Sequence, residues 1–217
     1  MEDQQTDRVQ AFTGPIIGLL LAGGLSRRMG GGDKCLRLLA GRPLLSHVIS
    51  RLRPQVHRLV LNANGDPGRF AGYGLPIVAD GVPDFAGPLA GILAGLEWTA
   101  REVPDCLFIV SVPTDAPFLP RDLVVKLLAA QTSADIVMAA SNGRTHPVVG
   151  LWPVGLAGDL RKALVEEGLR KVDLWTARYR VAVVSFPTAP VDGFFNANRP
   201  GDLVDAERMF ATCSRED

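Results

Sequence analysis

The sequence has little of several things that would narrow its role at once. Its 217 residues contain only three cysteines, Cys35, Cys106 and Cys213. An odd, widely spaced set argues against a disulfide framework or a zinc site and suits a reducing cytoplasm. There is no charge excess: 23 Lys and Arg balance 23 Asp and Glu, which excludes a general binder of nucleic acid or of an anionic membrane. Long apolar runs are missing too. Ile16 to Ala22, broken by Gly18, is far too short to cross a bilayer. The polar, acidic stretch before it does not read as a secretory signal. Repeats, low-complexity tracts and clear linkers are absent, so the expectation is a tail over 1–14, one domain over 15–211 and a short tail over 212–217.

What is present is rhythm. Short apolar runs at 16–21, 58–63, 77–79, 107–112, 136–140, 148–152 and 181–186 read as strands. Segments at 44–53, 89–99, 121–130, 156–165, 169–178 and 201–211 read as helices; Leu45, Val48, Ile49 and Leu52, for instance, share one face. Val/Ile/Leu strands alternating with helices predict a three-layer, Rossmann-like α/β fold, with a mostly parallel sheet covered on both faces. In such sheets ligands gather beyond the carboxyl ends of the strands, and the polar motifs fall there.

The first follows the first strand. "LLLAGGLSRRMGGGDK" (Leu19 to Lys34) contains five glycines, two arginines and a lysine. Gly23 and Gly24 let a ligand approach the backbone, while Arg27, Arg28 and Lys34 supply charge for phosphate oxygens. It is not a Walker loop, because Asp33 separates Gly32 from Lys34 and Cys35 follows. It has no G-x-G-x-x-G register and no G-x-S-x-G elbow. A solvated surface loop is the bland alternative. Elsewhere, Asn62 ends the second strand, where it could serve a base or ribose or simply turn the chain, as could Asn64 and Asp66. Asp80 ends the run "IVAD". Asp115 follows the apolar run "LFIVSV", where a lone carboxylate is costly unless it is paired or coordinates a cation. Trp98, Trp152 and Trp175 read as core.

The loop "LAGGLSRRMGGGDK" resembles the signature of the molybdenum cofactor guanylyltransferases, within the nucleotidyltransferase superfamily. "LNAN", "IVADGVPDFAGPLAGI", "PTDAPFLP", "HPVVGLW", "EGLRKVD" and "FFNANRP" extend the likeness in order through most of the chain. The resemblance implies transfer of GMP from Mg-GTP to molybdenum-bearing molybdopterin, yielding the guanine dinucleotide cofactor and pyrophosphate. Arg28, Lys34 and Asp115 are then the catalytic candidates. Leu21, Ala22, Gly23, Lys34, Asn62, Asp80 and Asp115 would bind the nucleotide, and Asp115 the Mg²⁺, with Mn²⁺ as a substitute. Arg144 and His146, placed in a loop before a strand, would face the acceptor with Arg170, Lys171, Asn196 and Asn198. Capping of the last helix is the competing role for the asparagines.

"LAGG" in place of the "LAAG" of related cytidylyltransferases favours a purine. The alternatives are a cytidylyltransferase for the same acceptor, a sugar-phosphate nucleotidyltransferase, and a non-catalytic adaptor that binds nucleotide and cofactor. Further partners implied are molybdenum-insertion proteins and client molybdoenzymes or their chaperones; nucleic acid and membrane are not expected. The expected location is the cytoplasm.

Overall fold

In the computed structural model the described residues are 14–23, 33–82 and 87–213. Seven strands form the main sheet in the order β5-β4-β1-β6-β8-β7-β9. They are β1 (Ile16–Leu21), β4 (Arg58–Asn62), β5 (Ile77–Val78), β6 (Phe108–Pro113), β7 (Ile136–Ser141), β8 (Arg144–Pro153) and β9 (Val181–Phe186). All pairings are parallel except those of β8, which runs against both β6 and β7.

Period-two alternation divides β1 between two cores. Ile16 and Leu20 point to one face and Ile17 and Leu19 to the other, all at most 6% exposed. On the first face lie α1 (Leu44–Leu52) and α3 (Leu123–Ala130); on the second lie α2 (Pro88–Glu102), α4 (Ala157–Val165) and α5 (Val172–Thr176). This is the three-layer, mostly parallel α/β arrangement expected from the sequence. The three tryptophans are core residues, none more than 7% exposed.

Helix α2 lies unusually close to the sheet because two positions have no side chain. A Cβ on Gly95 would sit 2.6 Å from the Leu19 side chain, and one on Gly91 only 2.3 Å from Asn62 Oδ1. Gly91 therefore seats the helix on the strand ends. The last helix, α6 (Pro200–Cys213), packs through Ala206 over the two-stranded hairpin of β2 (Leu38–Leu39) and β3 (Arg42–Pro43) and onto Leu44. The segment that leads into it, residues 194–199, lies at the carboxyl edge of the sheet, next to Asp115 and Lys34.

Two features depart from the sequence reading. Residues 136–153 form a tight hairpin turned by Asn142 and Gly143, both at positive φ (48° and 70°). Asn-Gly supplies that paired left-handed turn at little strain. Arg144 and His146 are thus strand residues of β8, not loop residues. The helix expected over 169–178 is cut to the five residues of α5.

Candidate functional site

The carboxyl ends of β1, β4, β5 and β6 adjoin, and hydrogen bonds between the segments leaving them tie them together. Ala22 N–H donates to Asn62 O at 2.9 Å, and Thr114 donates to Leu21 O through both its amide and its hydroxyl, at 3.2 and 3.1 Å. Leu21, Ala22 and Gly23 leave the sheet between these clamps. Among the described residues nothing requires glycine at 23: a Cβ there would meet only Asn62 Oδ1, at 3.7 Å. The missing side chain leaves room for a ligand.

On one side of β1 is a neutral-to-acidic web. Asn62, 2% exposed, donates from Nδ2 to Asp80 Oδ1 (2.9 Å) and Val78 O (3.2 Å). Asn64 donates to Asp80 Oδ2 (2.7 Å) and accepts from Asp80 N–H (2.8 Å). Asp80 therefore has an amide donor on each carboxylate oxygen. Asn62 has spent both amide hydrogens and has only its oxygen to offer. Of the three turn candidates, Asp66 makes the Asx turn, accepting from Gly68 N–H at 2.8 Å.

On the other side is a charged cluster assembled from distant segments. Lys34 opens a 3-10 turn anchored by buried Cys35. Its Nζ forms an ion pair with Asp115 Oδ2 and donates to Asn198 Oδ1 at 2.6 Å, with Lys34 14% and Asp115 18% exposed at the side chain. Ala197 N–H donates to Asp115 O at 3.1 Å, fastening the asparagine segment to the loop after β6. Asn198 and Arg199 N–H both donate to Asp202, which caps the start of α6, so capping falls to Asp202 rather than to Asn196 or Asn198. Two side-chain oxygens here are buried without a partner among the described residues, Asp115 Oδ1 and Asn196 Oδ1. Leaving such atoms bare costs about 1–3 kcal/mol each, so a native site that keeps them has a further use for them.

A hard divalent cation fits that donor set: Mg²⁺ takes one or two carboxylates, keeps waters and shares substrate phosphates. The described residues hold no group of three or more His, Cys, Asp or Glu that could hold a metal ion, so this is not a closed protein cage. Burial and nearby Asp33 push the Cys35 thiol up to about 11, which leaves it inert beside the cluster.

The acceptor-side candidates separate. His146 stacks on Phe194 (4.6 Å between ring centres) and its Nε2 lies 2.8 Å from Ser141 Oγ. Ser141 Oγ donates to Asp192 Oδ2 at 2.9 Å, and Asp192 Oδ1 accepts from Phe194 N–H. His146 thus braces the segment that delivers Asn196 and Asn198. Burial holds its imidazole below the ordinary range, and Arg144 adds to this while Asp192 opposes it. Arg144 is exposed at the start of β8. Arg170 and Lys171 are exposed at the start of α5, whose Val172 and Trp175 pack on the opposite face from α1. Arg27 and Arg28 lie outside the described residues. Arg69, Ser141 and Asp192 join the site's scaffold although no motif flagged them, and Asn64, read only as a possible turn residue, joins it too; the Asn-Gly turn that pairs Ser141 with Arg144 was the readable signal for one of them.

A family model described as "MobA-like NTP transferase domain" matches residues 18–179. The chain is 61% identical over 206 residues, 94% of its length and 97% of the relative's, to a protein of Bradyrhizobium sp. (strain ORS 278) named molybdenum cofactor guanylyltransferase. Among solved structures it is similar to molybdopterin-guanine dinucleotide biosynthesis protein A from Archaeoglobus fulgidus, with a TM-score of 0.71 at 22% identity, covering 90% of this chain and 99% of that one. A Mycobacterium tuberculosis protein solved as a complex with manganese superposes with a TM-score of 0.65 at 17% identity, covering 89% and 98% of the two chains. At these identities the two structures support the fold.

Proposed function

Because the chain belongs to the MobA-like NTP transferase family, we infer that its carboxyl-edge site works as a molybdenum cofactor guanylyltransferase. It moves GMP from GTP to the terminal phosphate of molybdenum-bearing molybdopterin, releasing pyrophosphate. An acceptor phosphate oxygen attacks the α-phosphorus in line as the bond to the β-phosphate oxygen breaks. No side-chain nucleophile is required, so positioning and electrostatics carry the catalysis.

The strand order supports a division of labour. β5 and β6 lie three strand spacings apart, roughly 14 Å, with β4 and β1 between them, a span suited to an extended nucleoside triphosphate. Asp80 and the oxygen of Asn62 serve the guanine or ribose end, with Leu21, Ala22 and the open Gly23 beneath the base. Lys34, with Arg28 from the glycine-rich loop, serves the phosphates. Asp115 would hold Mg²⁺ or Mn²⁺, with Asn196 as a neutral oxygen beside it; bound there, the cation neutralises phosphate charge and stabilises the leaving pyrophosphate. Asn198, Asn196 and Arg144 would serve the acceptor, with His146 bracing the segment of the asparagines, while Arg170 and Lys171, on the other side of the sheet, have no support from the cluster for that role. The protein would work in the cytoplasm beside molybdenum-insertion proteins, handing product to client molybdoenzymes or their chaperones.

The carrying observation is the convergence of Lys34, Asn198 and Asp115, with Asp115 Oδ1 left buried and unpartnered. The test offers purified protein Mg²⁺, molybdenum-loaded molybdopterin and GTP, CTP, ATP or UTP in turn, and measures pyrophosphate. Release with GTP alone is expected. Release with CTP would move the base assignment, and silence with all four would sink the transfer reaction.

A further inference from the structure

Arg69 lies in the connection between β4 and β5, within the 3-10 segment Pro67–Tyr73, and no motif singled it out. Its side chain reaches in two directions. Nε pairs with Asp33 Oδ2 at 3.2 Å, next to Lys34 in sequence, and Nη2 donates to the carbonyl of Asn64. Asn64 is the residue that holds Asp80 by two hydrogen bonds. The guanidinium also lies over the Phe70 ring, 4.9 Å from its centre, and Phe70 is 1% exposed. A buried ring therefore fixes where the fork can point.

The contacts compose one line: Lys34, Asp33, Arg69, Asn64, Asp80, Asn62. It begins at the cation meant for phosphates and ends at the pair meant for the base. We propose that Arg69 is a positioning residue that sets the distance between the phosphate-binding and base-binding ends of the site. Its consequence is selective for ligands that engage both ends at once. A nucleoside triphosphate spans the tie; a monophosphate of the same base relies mainly on the Asp80 end. The proposal rests on the guanine-nucleotide reading given above.

The geometry favours Arg over Lys. Two nitrogens of one rigid plane face two acceptors on different segments, so an ammonium on a flexible stem would satisfy only one of them. The tie is partly exposed, the side chains being 33% and 21% accessible, and its contribution is to register rather than to bulk stability.

The experiment measures binding of Mg-GTP and of GMP, without acceptor, by titration calorimetry to the full chain. Arg69→Ala is expected to weaken GTP about tenfold and GMP by less than about twofold. Asp33→Asn should reproduce that selective loss, and the double variant should add little to either single one. Arg69→Lys should recover part of it. Equal losses for the two nucleotides, or losses that add in the double variant, would overturn the proposal. If Arg69→Ala does not fold, Arg69→Lys and Asp33→Asn carry the same comparison. Wild-type protein that binds neither nucleotide would overturn the guanine-nucleotide reading itself, which the variants alone cannot do.

Discussion

Asp80 and Asp115 occupy equivalent places and are treated in opposite ways. Each stands two residues beyond its strand, Asp80 after β5 and Asp115 after β6. Asp80 has both oxygens bonded to amides of Asn62 and Asn64, all within 19 residues of chain. Asp115 has one oxygen on Lys34, 81 residues away, and the other buried with nothing on it. A carboxylate satisfied by neutral amides is fixed in orientation and ready to accept hydrogen bonds. One held by a single cation, with a bare oxygen, is prepared to receive more positive charge. Burial alone did not separate the two roles; the bookkeeping of partners did.

The largest break in this contrast is Asp115→Ala. It should cut kcat by about a thousandfold, roughly 4 kcal/mol of barrier, with Mg²⁺ dependence lost in steady-state assays. Unchanged turnover and metal dependence would end the metal assignment. Gly91→Ala aims at the other aspartate from behind: the new Cβ would press on Asn62 Oδ1 and should cost about 1–3 kcal/mol in a denaturant melt. Its surviving protein should need more GTP but no more Mg²⁺. Asp80→Asn keeps the size of the side chain and removes its charge. It should raise KM for GTP about tenfold while kcat moves by no more than about threefold; a fall confined to kcat would place Asp80 with the chemistry instead.

The smallest effect concerns His146. Burial depresses its pKa below the ordinary value of about 6.5. As pH falls through the unfolded-state value, the unfolded chain takes up a proton that the folded chain refuses. Stability contributed by the neutral ring is thus complete above about pH 6.5 and declines below it. His146→Gln should flatten that limb of a pH series of melts; an identical pH dependence in both proteins would remove His146 from the balance.

The sheet was readable because continuous Val, Ile and Leu runs are what a strand covered on both faces demands, and β1 falls where its apolar run does. The reversal of β8 was not, since a run such as Val148 to Trp152 looks alike in either direction; Asn142-Gly143 was the clue to the turn. Motifs singled out, one by one, Lys34, Asp115 and Asn198, which the fold brings together, but not their wiring. That Asn62 gives its hydrogens to Asp80, that Asp202 and not an asparagine caps α6, and that His146 backs Phe194 depend on contacts between segments far apart in the chain. Arg69, alone in an irregular connection, shows no periodicity to find it by.

The cluster at Lys34 also has a consequence for synthesis. Its three members lie at positions 34, 115 and 198, and the lysine–asparagine bond closes a separation of 164 residues. Contacts so remote form late, after the loops between them have been closed. A chain emerging from the ribosome therefore cannot complete the Lys34 cluster until residue 198 is free.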